Sequence, residues 1–137
     1  MKYIITESQY NKLISEQSSD DEILRLPTIE YFGGWDNLQQ YLAKKNNPPY
    51  SIEGDLDLSD VKSLGNLVSV KGELDLNNSK IKSLGNLRSV GGNLILSHTK
   101  LKSLGKLTYV GGFLVSGDKI ESLGNLTEVG GNFEVWD

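Results

Sequence analysis

Short segments in which apolar and polar residues alternate recur along the last two-thirds of the chain, each directly after a glycine. Alternation with a period of two over a few residues predicts a half-buried β-strand, and the preceding glycines suit tight corners. We therefore predict five short parallel strands stacked about 4.8 Å apart. The alternating segments are 55–58, 73–76, 93–96, 113–116 and 132–135.

Between these segments the motif Ser-Leu-Gly-Asn-Leu returns, with lysine replacing asparagine in one copy. The first leucines of the four copies are spaced by 20, 20 and 19 residues and are Leu64, Leu84, Leu104 and Leu123. A fixed period of this length is typical of a solenoid, in which each coil contacts only its neighbours and the stack presents an extended surface. The sequence thus predicts a repeat solenoid of about five coils over residues 51–137.

Written from Leu84, one unit reads L-x-x-L-x-x-V-x-x-x-L-x-L-x-x-T-x-L. This pattern, which extends over roughly residues 52–137, resembles the leucine-rich repeat, whose strand motif is L-x-L-x-x-N/C-x-L. The resemblance implies a leucine-rich-repeat-like solenoid of parallel strands. At the asparagine position this chain has Ser79 or Thr99, whose hydroxyls can still bond backbone groups inside the turn. A unit of 20 residues leaves too little chain for a helix on the convex side.

Ahead of the repeats the chain begins M-K-Y-I-I-T-E-S-Q-Y and continues with G-G-W-D-N-L and N-P-P-Y. Together with the G-N-L-x-x-V-G-G repeats, these stretches resemble leucine-rich-repeat proteins encoded by tailed phages of marine bacteria. The resemblance implies a cytoplasmic location, in a bacterium or an infected cell, or a place in the virion.

The region before the repeats has helical rather than alternating patterns. Residues 1–22 are predicted to form a strand, a helix and an acidic linker. Because the first coil of a solenoid has no preceding neighbour, its apolar end needs a cover. We expect residues 23–50 to supply it as a small α-helical cap. The apolar residues that recur there at helical spacing are Trp35, Leu38, Tyr41 and Leu42.

Composition and charge argue against several classes of partner. The formal net charge of −4 offers no polybasic footprint for nucleic acid or an anionic membrane. Cysteine is absent, so there is neither a disulfide framework nor a thiolate metal site. The apolar stretch Tyr3–Ile5 is far shorter than a signal-peptide core. We expect no nucleic-acid partner, no membrane partner and no secretion by a cleaved signal.

Residue types that carry catalysis or bind metals are scarce. His98 is the only histidine, and it is predicted to lie in the turn after the third strand, without a second histidine or a thiol. The Gly-Gly pairs at 91–92, 111–112 and 130–131 neither open a helix nor precede Gly-Lys-Ser/Thr, so we interpret them as corners of the solenoid. We expect no enzyme activity, no catalytic residue, no cofactor and no metal ligand.

Stacking in register places equivalent residues in columns on the outward strand face, and the first two coils carry carboxylates there. Like charges opposite one another on neighbouring strands destabilise a sheet. Three interpretations stay open: a solvated acidic face, a site for a basic partner, and a bound divalent cation. The four acidic residues are Asp55, Asp57, Glu73 and Asp75.

The later coils carry an apolar cluster on the same face, formed by Ile95, Phe113 and Val115, with Trp136 beside it. Contiguous apolar residues on a flat strand face often mark an interface. We interpret this cluster as a binding patch, and the alternative is that the N-terminal segment of the same chain covers it.

Two further columns are basic and lie away from the strand face. We interpret these lysines as a solvated face that discourages association between edges. The columns are Lys62, Lys82 and Lys102, and Lys80, Lys100 and Lys119.

The last strand segment has no polar capping coil after it. An edge strand with free backbone groups is a template for pairing, and terminal coils without caps tend to be insoluble. We hypothesise that two chains pair through this edge into a symmetric homodimer with a continuous sheet. The contact residues would be Phe133, Val135 and Trp136.

These features favour a non-catalytic protein-binding module that uses the outward strand face to hold an unknown protein partner. The first alternative is a structural, self-assembling protein associated with a phage or virion, which pairs through its C-terminal edge. The second alternative is glycan recognition by Phe113 and Trp136 with polar neighbours.

Overall fold

Turns of chain about 20 residues long stack on one another in register and form a β-solenoid of about four turns. The computed structural model describes residues 23–136. The N-terminal strand, helix and acidic linker predicted for residues 1–22 lie outside the described residues.

The five-stranded sheet consists of parallel strands that pair in the order β3-β5-β7-β9-β11. Their bounds are β3 Leu56–Asp57, β5 Leu74–Asp75, β7 Leu94–Ile95, β9 Leu114–Ser116 and β11 Phe133–Val135. The register aligns Leu56, Leu74, Leu94 and Leu114, all of which are buried. All five strands lie within the alternating segments of the sequence, so the predicted fold class is confirmed.

A second parallel sheet, with six strands in the order β1-β2-β4-β6-β8-β10, runs along another side of the coils. Its strands are β1 Leu24–Leu26, β2 Tyr50–Ile52, β4 Leu67–Val70, β6 Ser89–Val90, β8 Tyr109–Val110 and β10 Glu128–Val129. The sequence did not predict this sheet. Three of its strands have only two residues, too few for an alternation to be visible.

One helix, α1 (Trp35–Lys44), packs on the N-terminal end of the solenoid after a short 3-10 helix, Ile29–Phe32. Leu38 and Leu42 are its buried residues and join the same apolar core as the leucines of the first coil. This confirms the predicted helix in the cap. The segment 23–50 also contains β1, which pairs with β2 and extends the six-stranded sheet.

The core is a stack of inward-facing leucine, isoleucine and valine side chains that continues from coil to coil. Leu64, Leu84 and Leu104, the motif leucines of three successive coils, are almost completely buried. Burying a leucine stabilises a fold by roughly 1.5–3 kcal/mol, so repetition of this position supplies much of the stability.

The Gly-Gly corners lie where the backbones of adjacent coils come closest. A Cβ atom on Gly92 would lie 2.9 Å from the carbonyl carbon of Gly72 in the preceding coil, and one on Gly91 would meet the carbonyl oxygen of Lys71. Only glycine allows this approach. The corners therefore set how tightly the coils stack and keep the strand columns in register.

Candidate functional site

The outward face of the five-stranded sheet carries the columns that the sequence predicted. Strand pairing places Asp57 beside Asp75, then Ile95, and then Val115. The column ends at Glu134 on β11. The face therefore changes from acidic in its first two strands to apolar in the next two.

Hydrogen bonds within the chain hold three of the four carboxylates in the acidic half. Asp55 Oδ1 accepts a 2.8 Å bond from the backbone N–H of Glu73, and Asp75 Oδ1 accepts one of 2.9 Å from Asn77. Glu73 Oε2 accepts a 3.0 Å bond from the Asn93 side-chain amide. These donors offset the repulsion between like charges, so the acidic column does not require a bound cation.

The hydrogen-bonded column continues into the apolar half. Asn93 Oδ1 accepts a 2.9 Å bond from the backbone N–H of Phe113, and Ser97 Oγ bonds Asn77 Oδ1 at 2.8 Å. Side chains of one coil thus fix the backbone or side chains of the next. The position of Phe113 is set by backbone bonding as well as by packing.

A shallow groove of about 340 Å³ lies in the apolar half. The structure brings together the four residues predicted as a binding patch, and Phe113 and Trp136 are 37% and 56% exposed. Ser97, Asn132 and Glu134 add polar groups to the rim. The four apolar lining residues are Ile95, Phe113, Val115 and Trp136.

The residues predicted for self-association lie together on β11 and directly after it. Phe133 is 38% exposed, and Val135 and Trp136 are each 56% exposed. The exposed apolar surface continues along residues 120–136, which we call the C-terminal coil, and includes Leu123 at 44%. Side chains that other coils bury between neighbours are open to solvent here.

His98 and the residues at the equivalent turns of the preceding coils have a role in backbone conformation. His98 has a φ of 57°, and Asn78 and Asp60, which lie at the equivalent turn in the preceding coils, have φ values of 64° and 60°. Asparagine, aspartate and histidine tolerate this left-handed region better than other non-glycine residues. Within residues 23–136, no group of three or more histidine, cysteine or acidic residues is arranged to hold a metal ion.

Sequence reasoning did not identify a polar ladder along the repeated motif. Asn86 Nδ2 bonds Asn66 Oδ1 at 2.8 Å, and Lys106 Nζ bonds Asn86 Oδ1 at 2.9 Å. Asn66 in turn donates to the backbone carbonyl of Asn47 after α1, at 2.6 Å. The recurrence of asparagine in Ser-Leu-Gly-Asn-Leu was the available signal for this ladder, and it ties the helix end to the first three coils.

The described residues form a β-solenoid in which the outward face of the five-stranded sheet is divided into an acidic half and an apolar groove. In comparisons with protein-family models, curated proteins and solved structures, the chain matches none. None of the helices in the described range is long and apolar enough to cross a membrane.

Proposed function

We propose that this chain is a non-catalytic protein-binding module that uses the outward face of the five-stranded sheet. The groove formed by Ile95, Phe113, Val115 and Trp136 is the observation that carries this proposal. An apolar groove with an aromatic residue in it suits an anchor side chain from a partner, and such anchors supply most of the energy of protein interfaces.

The arrangement of charge beside the groove suggests the chemistry of the partner. Asp75 lies on the strand next to Ile95, Asp57 lies one strand further away, and Glu134 lies at the opposite rim. Charge complementarity across an interface steers association and selects partners. The partner would therefore present an apolar or aromatic side chain flanked by lysine or arginine.

The rigidity of the face supports the same function. The strands are paired on both sides from β5 to β9, and the Asn93 side chain holds the backbone of Phe113. A surface that is already ordered loses little conformational entropy on binding. The mechanism would be recognition by a preformed surface.

The proposal also includes a narrower fold class for this solenoid and a source for the chain. The inward leucines at positions equivalent to Leu74, together with the 20-residue period, support a leucine-rich-repeat-like solenoid. We extend the proposal to a phage-encoded protein that acts in the cytoplasm of a bacterium or infected cell, or in the virion.

The test compares two aromatic residues of one coil that are exposed to the same degree. Phe113 is 37% exposed in the groove, whereas Tyr109 is 39% exposed on the six-stranded sheet. A protein partner isolated by its binding to the wild-type chain should form crosslinks to residues beside the groove. Its affinity should fall at least thirtyfold in Phe113→Asp, as for a hot-spot residue, and remain within about twofold in Tyr109→Asp.

Equal loss of affinity in both variants, with both still folded, would contradict the proposal. Retention of the chain on a glycan array that disappears in Phe113→Asp would assign the groove to sugar recognition instead.

The second candidate is self-assembly, and the exposure of the C-terminal coil favours it. Leu123, Phe133 and Val135 form an apolar end surface next to the edges of β10 and β11, which pair with no further strand within residues 23–136. Light scattering after size-exclusion chromatography would show a dimer that Val135→Lys converts to a monomer. A monomer at all concentrations tested would exclude this candidate.

A further inference from the structure

A half-open cavity of about 640 Å³ lies across the turns that follow β3, β5 and β7, and most of its described lining residues are basic. Four of its lining residues are lysines, and its other side chains are those of Asn78, Ser79 and His98. Among residues 23–136, no carboxylate lines it. The cavity shares no residue with the groove of the five-stranded sheet. The four lysines are Lys62, Lys80, Lys82 and Lys100.

Stacking of the coils concentrates these positive charges. Lys62 and Lys82 hold equivalent positions on consecutive coils, as do Lys80 and Lys100, so their backbones are about 5 Å apart. All four lysines are exposed, and within residues 23–136 none of them forms an ion pair with a carboxylate. Their ammonium groups share one region of the surface, where like charges repel each other. An anion in the cavity would convert this repulsion into attraction.

A second and independent observation at the same cavity involves Ser79. Its side chain is buried, at 4% exposure, and its Oγ has no hydrogen-bond partner in the described part of the chain. The equivalent residue in the next coil, Thr99, donates to the backbone carbonyl of Leu96 at 2.8 Å. A buried hydroxyl without a partner costs about 1–3 kcal/mol, and a ligand oxygen that reached Ser79 Oγ would remove this cost.

We propose that this cavity binds a small molecule that carries several phosphate groups. Lysine ammonium groups are compact charges that bind phosphate oxygens, and four of them match three or four negative charges. The volume exceeds the space that one phosphate needs and is typical of small-molecule sites. At the turn position that Asn78 and His98 occupy, the preceding coil carries Asp60, which does not line the cavity.

The test is isothermal titration calorimetry of the full chain with sodium triphosphate at low ionic strength. Binding with one molecule per chain is expected, with affinity that falls as salt is added. Lys82→Gln and Lys100→Gln should each weaken binding about tenfold, the size of one charge-assisted hydrogen bond. Lys44→Gln, which removes an exposed charge on α1 away from the cavity, should change affinity less than twofold.

Ser79→Ala tests whether Ser79 donates a hydrogen bond to the ligand or stabilises the fold. It should weaken triphosphate binding severalfold while leaving the midpoint of urea unfolding unchanged or higher, because no protein hydrogen bond is lost. Thr99→Val, which removes a made bond, should lower that midpoint.

Three results would overturn the proposal: no heat of binding with triphosphate, equal losses in Lys82→Gln and Lys44→Gln, or unchanged affinity in Ser79→Ala. Two comparison ligands test the class. Tighter binding of a polysulfated disaccharide would replace phosphate by sulfate as the ligand chemistry, and much tighter binding of a single-stranded oligonucleotide would indicate a nucleic-acid surface instead.

Discussion

The hydroxyl of Tyr50 donates a 2.9 Å hydrogen bond to the backbone carbonyl of Leu64 from a completely buried position. The same oxygen accepts a 3.0 Å bond from the Gln39 side chain on α1. Tyr50 belongs to β2 and Leu64 to the repeated motif of the first coil. A single phenol therefore connects the helix, the six-stranded sheet and the start of the repeats.

We expect Tyr50→Phe to lower the free energy of unfolding by about 1–3 kcal/mol, because the Leu64 carbonyl and the Gln39 amide lose their shared partner. Urea unfolding followed by circular dichroism measures this change. Tyr109→Phe is the control, since Tyr109 is exposed on the same sheet and should cost less than about 0.5 kcal/mol. Equal costs would contradict the role assigned to Tyr50.

The same phenol predicts sensitivity to alkali. Burial raises the pKa of Tyr50 well above its usual value, and the hydrogen bond from Gln39 opposes this only in part. The folded state therefore favours the neutral phenol, whose contribution is complete below about pH 10 and is lost as pH rises further. Between pH 8 and pH 11 the wild type should lose about 1.4 kcal/mol more than Tyr50→Phe. Parallel loss in both proteins would refute this.

The corners of the solenoid give a prediction about close backbone approach. Gly92→Ala should destabilise the protein by about 1–3 kcal/mol, because its Cβ would lie 2.9 Å from the Gly72 carbonyl carbon. Gly54 is at the equivalent corner of the first coil, where the nearest atom is Thr28 Cγ2 at 3.2 Å. Gly54→Ala should therefore cost less than about 1 kcal/mol. Thermal unfolding of the two variants compares them, and a larger loss in Gly54→Ala would contradict the argument.

Equivalent leucines at different depths of the stack should differ in cost. Leu104 is completely buried, whereas Leu123, one coil later, is 44% exposed. Leu104→Ala should cost about 2–5 kcal/mol and Leu123→Ala under about 1 kcal/mol. Both are measured by urea unfolding at two protein concentrations. A large cost for Leu123→Ala that grows with concentration would instead show that a second molecule covers this coil.

The part of the fold that the sequence predicted is the part where side-chain alternation and burial agree. Leu74 and Asp75 alternate as an inward and an outward residue, and their partners Leu94 and Ile95 repeat this alternation. Period-two patterning fixes register because a shift by one residue would expose the leucines. For this reason the columns of the candidate surface could be predicted from the sequence.

The six-stranded sheet and the hydrogen bonds around the carboxylates could not be predicted from the sequence. Ser89 and Val90 form a complete strand of two residues, and no pattern of that length distinguishes a strand from a turn. The sequence showed like charges at Asp55 and Glu73 but not the 2.8 Å bond between their coils, which depends on how closely the corners bring the two backbones together.

The two ends of the solenoid differ, because α1 and its buried Leu38 and Leu42 cover one end while the C-terminal coil exposes Leu123, Phe133 and Val135. In a stack held by nearest-neighbour contacts, each coil is as stable as the interfaces on its two sides. Backbone amides should therefore exchange with solvent fastest in the coil that has one interface and progressively more slowly toward the helix. Local unfolding would therefore begin at the C-terminal coil and proceed one coil at a time toward α1.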